Sequence, residues 1–210
     1  MVTQRASKIL AEHASSAGDG LCETIGPDDQ VLTERARKGD MRAFGLLVSK
    51  YQDRLFNMVY RMCPQAEDAE EITQEAFLKS LENISRFRGQ SQYYTWLFRI
   101  AANLVISHRR RQVRLSFESI DAPDGTQAKG LAQKNLAGPD ASASSAETMR
   151  RIEQAMEQLD EESRLLVVLR DIEDMSYAQI ARIIDSPVGT VKSRLHRARC
   201  ELRERLKGIL

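Results

Sequence analysis

The chain has 210 residues, with 31 Lys and Arg against 30 Asp and Glu, and 42% hydrophobic and 29% charged positions, a composition that fits a globular chain and excludes wholesale disorder. Its longest apolar runs, such as Leu165 to Leu169, fall far short of the ~20 residues that span a bilayer, and Lys8, Glu12, His13, Asp19 and Glu23 break up the N-terminus, so neither membrane insertion nor a secretion signal is expected. Cys22, Cys63 and Cys200 are odd in number and far apart, which argues against a disulfide framework or zinc site and for a reducing, cytoplasmic setting.

Residues 1–28 are polar with weak periodicity and are expected to form a mobile extension. From Asp29 the pattern turns helical. Phe44, Leu47, Val48, Tyr51, Leu55, Val59 and Met62 recur at steps of three and four, the stripe of an amphipathic helix that Asp40 can cap and Pro64 ends. A second helix over about 66–84 turns Ala69, Ile72, Ala76, Leu81 and Ile84 inward and carries six acids against one base, Lys79. The next block, Arg86 to Arg114, reverses the sign with seven arginines and no acid. There a loop containing Gly89 leads into a third long helix, capped near Ser91, with Leu97, Ile100, Ala101 and Leu104 on one face before Arg109, Arg110 and Arg111.

Phe87, Tyr93, Tyr94, Trp96 and Phe98 concentrate aromatic rings in this basic block, and about half of them are expected to be core packing. Free rings interleaved with Arg86, Arg88 and Arg99 are what single-stranded bases need for stacking and charge neutralisation. The loop Phe87 to Ser91 can receive a base swung out of the stack.

Residues 113–146 lose the helical period, and Pro123, Gly125, Gly130, Gly138 and Pro139 mark a linker with at most a short extended piece at Val113 to Phe117. A second helical unit begins at Glu147, where Met149, Ile152, Met156 and Leu159 form a stripe and Leu165 to Leu169 reads as a buried helix. Acids again dominate Asp160 to Asp174, six against two arginines. The expected fold is all-α: two small helical domains, 29–112 and 147–210, joined by a flexible linker.

Within the second domain, Tyr177 to Ile184 reads as a short helix broken by Asp185-Ser186-Pro187, followed by a helix from Val188 to about Lys207 with Ser186 as its cap. Val191, Leu195, Ala198 and Leu202 form the buried stripe of that helix, which leaves Lys192, Ser193, His196, Arg197 and Arg199 outward and Arg194 at the flank. A short helix, a tight turn and a second, basic helix make the geometry that places a recognition helix in the major groove. Arg and Lys pair there with guanine, and Ser pairs flexibly. Gly189 and Thr190 at the helix start let a phosphate approach the free backbone N–H groups.

Four stretches carry a resemblance: LTERARKGDMRAFGLLVSKYQDRLFNMVYRM (32–62), DAEEITQEAFLKSLENISRFRG (68–89), YTWLFRIAANLVISHRRR (94–111) and YAQIARIIDSPVGTVKSRLHRAR (177–199). Together they resemble the extracytoplasmic-function (ECF, group IV) sigma factors of bacterial RNA polymerase, closest to the sigma-E type, over Asp29 to Leu210 apart from the linker. The resemblance implies a transcription initiation factor that binds core RNA polymerase, reads promoter DNA as a −35 duplex and a melted −10 element, and serves a stress response. The acidic helix, through Asp68, Glu71, Gln74, Glu75 and Phe77, is implied to grip the β′ coiled coil. The −10 contacts fall on Phe87, Arg88, Gln90, Ser91, Tyr94, Trp96, Arg99, Asn103, His108, Arg109 and Arg110. The −35 contacts fall on Gly189, Thr190, Lys192, Ser193, Arg194, Arg197 and Arg199. Residues Glu147 to Arg170 resemble the part that docks on the β flap, the linker would thread toward the polymerase cleft, and an anti-sigma factor, in this family often membrane-anchored, is an implied partner.

No enzyme activity, cofactor or metal is implied, for the sequence offers no Gly-rich phosphate loop, metal spacing or nucleophile–base pair. A repressor or activator acting on duplex DNA alone leaves the acidic helix and the aromatic loop unused. A decoy that only sequesters an anti-sigma factor has no use for Lys192, Arg194, Arg197 or the arginines at 109–111.

Overall fold

The computed structural model describes residues 28–120 and 143–207, so the expected N-terminal extension, all but its last residue, and most of the expected linker lie outside it. The first helix, α1 (Asp29–Arg37), turns at Gly39, whose φ of 91° suits a residue without a Cβ, into α2 (Met41–Met62). Asp40 caps α2 by accepting the N–H groups of Arg42 and Ala43. The Arg35 guanidinium hydrogen-bonded to it holds its carboxyl below the usual range. The acidic helix α3 (Ala66–Asn83) passes through a 3₁₀ turn at Ile84–Arg86 and the Gly89 loop to α4 (Tyr93–Ile120).

All seven stripe residues expected on α2 are buried, and they meet Ala76, Phe77, Leu97 and Phe98 from α3 and α4 in one core. Burying each large apolar side chain there contributes about 1.5–3 kcal/mol, so Leu47→Ala or Phe98→Ala would leave a costly cavity. Two expectations for α4 are corrected. It starts at Tyr93 rather than on a Ser91 cap, and it runs as helix through Val113 to Phe117, where an extended piece was expected. The residues after Arg111 include good helix formers such as Gln112, Arg114 and Leu115, and no Pro or Gly intervenes before Pro123.

The second unit opens with α5 (Ala143–Glu157), four residues earlier than expected, and α6 (Glu161–Val167), capped by Asp160 on the Ser163 N–H at 2.9 Å. From α6 the chain continues through a π turn, Val168–Ile172, closed by the Glu173 N–H donating to the Val168 carbonyl at 3.0 Å. Leu165 to Leu169 are buried, as their all-round apolarity predicts. The pair α7 (Tyr177–Ile183) and α8 (Val188–Arg205) forms the helix-turn-helix. Ser176 and Gln179 cap α7 reciprocally. The cap expected from Ser186 is corrected: its hydroxyl donates to the Ile184 carbonyl at 3.4 Å, and Pro187 takes the N-cap position with no side-chain bond. Asp185 makes the turn in the left-handed region, at φ 52°, which a short polar side chain tolerates.

The two helical units are packed on each other. Helix α4 lies against α7, and α2 lies against α6 and the π turn. Their apolar residues form a continuous cluster.

Candidate functional site

Three surfaces carry the residues singled out by the sequence. On α8, Val191, Leu195 and Ala198 are buried against the rest of the second unit, which turns Gly189, Lys192, Ser193, Arg197 and Arg199 outward, with Thr190 half-buried and Arg194 at the flank. Two of these cations have acidic partners within their own unit. Arg194 meets Glu162 at 2.5 Å, and Arg199 makes a two-pronged bond with Asp171 that keeps its guanidinium charged. Lys192 sits 5.5 Å from the Tyr177 ring, and Arg197 projects from the same face. The helix thus offers a row of donors at its N-terminal half, the part that reaches base edges when a recognition helix enters a major groove.

The second surface lies on α4 and the loop before it. Arg88 and Gln90 are exposed, Ser91 is half-buried, and the loop lines an 820 Å³ groove with Tyr93, Lys50 and, from α7, Arg182. Gly89 holds φ 69° at the tip of this loop. Beyond it, Trp96 and Asn103 share a 470 Å³ groove with Lys79, Asn83 and Arg86. Lys79 and Asn83 join Arg86 of the basic block in a cationic, aromatic trough that spacing along the chain does not reveal, because they sit on α3 and come into range only through the fold. Arg99, Asn103 and Arg110 are exposed on α4.

The expected division of the aromatic rings is corrected: Phe87, Tyr93, Tyr94 and Phe98 are all buried, and only Trp96 keeps a partly open face. Phe87 supports Trp96 at 5.0 Å between ring centres. The Tyr94 phenol is pushed well above its ordinary value, first by burial and then by the neighbouring Glu173, so it stays protonated and donates. His108 and Arg109 also turn inward. His108 lies between Cys63 (4.0 Å) and Asp68 (3.7 Å), and Arg109 donates to the Met62 carbonyl at 2.7 Å while facing Glu161 of α6 at 3.5 Å.

The third surface is the acidic face of α3. Glu71 and Gln74 are exposed there, and Glu75 pairs with Lys79 one turn on at 2.9 Å. Asp68 accepts from Gln112 at 3.0 Å. Phe77 is corrected as a surface contact: at 2% exposure it is core, and it holds the helix from behind. It stands four residues after the buried Thr73 and three before the buried Ser80, and that spacing assigns it inward.

Of the cysteines, Cys22 lies outside the described residues. Burial pushes the Cys63 thiol up to about 11, so it stays neutral and unreactive in the folded chain. Cys200 is half-buried, 3.7 Å from His196. Among the described residues no group of three His, Cys, Asp or Glu side chains is placed to hold a metal, and no helix is long and apolar enough to cross a membrane.

Comparison with known proteins gives a consistent result. The family model described as Sigma-70 region 2 matches residues 47–115, and that described as Sigma-70, region 4 matches residues 149–202. The chain is 38% identical to the RNA polymerase sigma-H factor of Pseudomonas aeruginosa over 184 residues, 87% of this chain and 95% of that one. It is 37% identical to the ECF RNA polymerase sigma-E factor of Escherichia coli over 186 residues, 87% of this chain and 96% of the relative. Among solved structures it shares its fold with CnrH, solved in complex with the cytosolic domain of CnrY, at a TM-score of 0.62 and 24% identity over 85% of this chain and 97% of that one. A sigma factor RpoE, solved with the anti-sigma factor NepR from Bartonella quintana, matches at the same TM-score and identity over 79% of this chain and 97% of that one.

Proposed function

Because this chain belongs to the sigma-70 family, in its extracytoplasmic-function branch, we propose that it divides promoter recognition and polymerase docking among the three surfaces described above. It is a transcription initiation factor that directs RNA polymerase to promoters. The observation that carries the division is the pairing, on one chain, of an outward basic row on α8 with an outward acidic face on α3. A basic helix held in a helix-turn-helix suits duplex DNA, and exposed carboxylates suit a basic protein partner.

In this reading Lys192, Ser193, Arg194 and Arg197 contact bases of the −35 element, while Gly189, Thr190 and Arg199 lie nearer the backbone. Trp96, Arg99 and Asn103, joined by Lys79, Asn83 and Arg86, form the trough for the melted −10 strand, and the loop Phe87 to Ser91 takes an extruded base. Glu71, Gln74 and Glu75 meet the β′ coiled coil, with Asp68 at the edge. The domain limits 29–112 and 147–210 are part of this proposal, as are docking on the β flap, a cytoplasmic setting and the absence of catalysis by this chain. An anti-sigma factor is the proposed regulator, in keeping with the anti-sigma factor NepR that accompanies one of the solved structures of the same fold.

The test is transcription from fragmented genomic DNA by purified core polymerase, with and without the protein, mapping RNA 5′ ends. New starts that share a two-part upstream motif are expected. Failure to bind core, with duplex DNA bound by the free protein instead, would replace this reading with that of a polymerase-independent regulator.

A further inference from the structure

The two units meet through polar contacts that involve the reading surfaces themselves. Glu173, in the turn after the π segment, is 8% exposed and enters a notch on the first unit. There Arg54 of α2 donates to its carboxylate at 3.2 Å and to its backbone carbonyl at 3.2 Å. The Tyr94 hydroxyl closes the triangle, accepting from Arg54 at 2.9 Å and donating to the Glu173 carboxylate at 3.2 Å, while the Arg54 guanidinium lies 4.6 Å from the Tyr94 ring centre. An acid buried this fully is stabilised only while both partners stay in place, because its desolvation is not otherwise offset.

The same closure brings the two readers against each other. Arg99 on α4 faces Asp185, the helix-turn-helix turn residue, at 3.9 Å, and Gln92 just before α4 accepts from Gln179 of α7 at 3.1 Å. Arg99 and Asn103 line one 270 Å³ groove together with Arg194 of α8. Elements named −35 and −10 lie about 25 base pairs apart, on the order of 80 Å along B-DNA. Side chains that share a groove cannot reach both at once.

From this juxtaposition we infer that the free protein is self-locked: Glu173 is a latch that docks on Arg54 and Tyr94 and holds the −35 reading unit beside the −10 reading face, at a spacing that cannot serve both promoter elements, until the units separate. The inference rests on the proposed division of the reading surfaces for its consequence, but the latch itself is a property of the free chain.

The experiment uses the full chain, free of polymerase and DNA. Its readings are the radius of gyration in solution and the alkylation rate of Cys63, resolved from Cys22 and Cys200 by mass spectrometry. Cys63 reports closure because it is buried beside Arg164 of α6, which itself donates to the neighbouring Met62 carbonyl at 3.4 Å. Glu173→Arg and, separately, Arg54→Glu are each expected to enlarge the particle and to speed Cys63 alkylation at least about tenfold, as the open population grows. The double variant Arg54→Glu with Glu173→Arg is expected to return both readings toward the parent. Arg54→Ala is the safeguard against misfolding, since its side chain is 51% exposed and its removal leaves the core intact; with a native far-ultraviolet spectrum it should also open the protein. Unchanged size and alkylation in the three single variants would overturn the latch, as would a double variant that is merely the sum of the singles. Core-dependent transcription by the same variants is read separately, so a failed latch leaves the proposed function standing, and a failed function leaves the latch measurable.

Discussion

The two reading helices hold their cations in different ways. On α8, Arg194 and Arg199 are braced by Glu162 and Asp171 of their own unit, so the basic face is set by local folding. On α4, Arg99, Arg109 and the Tyr94 hydroxyl are engaged by Asp185, Glu161 and Glu173 of the other unit. The first arrangement pre-positions a surface for use. The second gives it an alternative, internal partner, so its availability depends on where the other unit is. Charge alone does not separate these cases, because both helices are arginine-rich and both have acids near them; the difference lies in which acids can leave.

The sharpest way to break this contrast is on α8. Arg197→Ala, or Lys192→Ala, is expected to weaken initiation by about 1–3 kcal/mol for each base that is no longer read, with binding to core polymerase unchanged. Neither residue has a carboxylate partner among the described residues, so little stability is at stake; failure to bind core in either variant would show that the faces are wrongly divided. A smaller effect is expected on α3. Glu71→Lys with Glu75→Lys should reduce core association about tenfold at low salt and less as salt rises. Most of that should come from Glu71, since Glu75 already shares its charge with Lys79. An association constant that ignores both changes would remove the acidic face from the docking surface.

The smallest expected effect compares two serines of the helix-turn-helix. Ser176→Ala breaks a reciprocal cap and should cost about 1 kcal/mol in urea denaturation. Ser186→Ala removes only a long bond to the Ile184 carbonyl and should stay within about 0.5 kcal/mol. Equal costs would mean that Ser186 supports the turn in a way its geometry does not reveal.

Local pattern made much of this molecule legible. The stripe on α2, the buried run Leu165 to Leu169 and the outward row on α8 each follow from spacing, because a helix face is decided by neighbours three and four residues away. The short-range misjudgements came from competing local chemistry. Ser186 resembles a cap only because Pro187 beside it leaves the N-cap position ambiguous between two residues, and Val113 to Phe117 suggests an extended piece because β-branched and aromatic residues stand close to a run of glycines and prolines. What spacing cannot carry is the assignment of individual aromatics. Tyr94 is engaged by residues distant in sequence, Arg54 and Glu173. The part of Lys79 and Asn83 in the trough escaped for the same reason: both stand on α3, which reads as an acidic helix, and they meet Arg86 and Trp96 only in space.

The π turn at Val168–Ile172 has a consequence of another kind. It spends one extra residue on a single turn, and an α-helix advances about 100° per residue. The same residues wound here as ordinary α-helix would present position 173 rotated by about that angle, away from the notch between Arg54 and Tyr94. The register of this short segment therefore acts as a phase setting, fixing the compass bearing of one carboxylate relative to helices far earlier in the chain. Among chains of the same overall shape, whether this one turn is wound with or without its extra residue would separate those whose two halves engage from those whose halves slide past one another, with no change in any side chain where they meet.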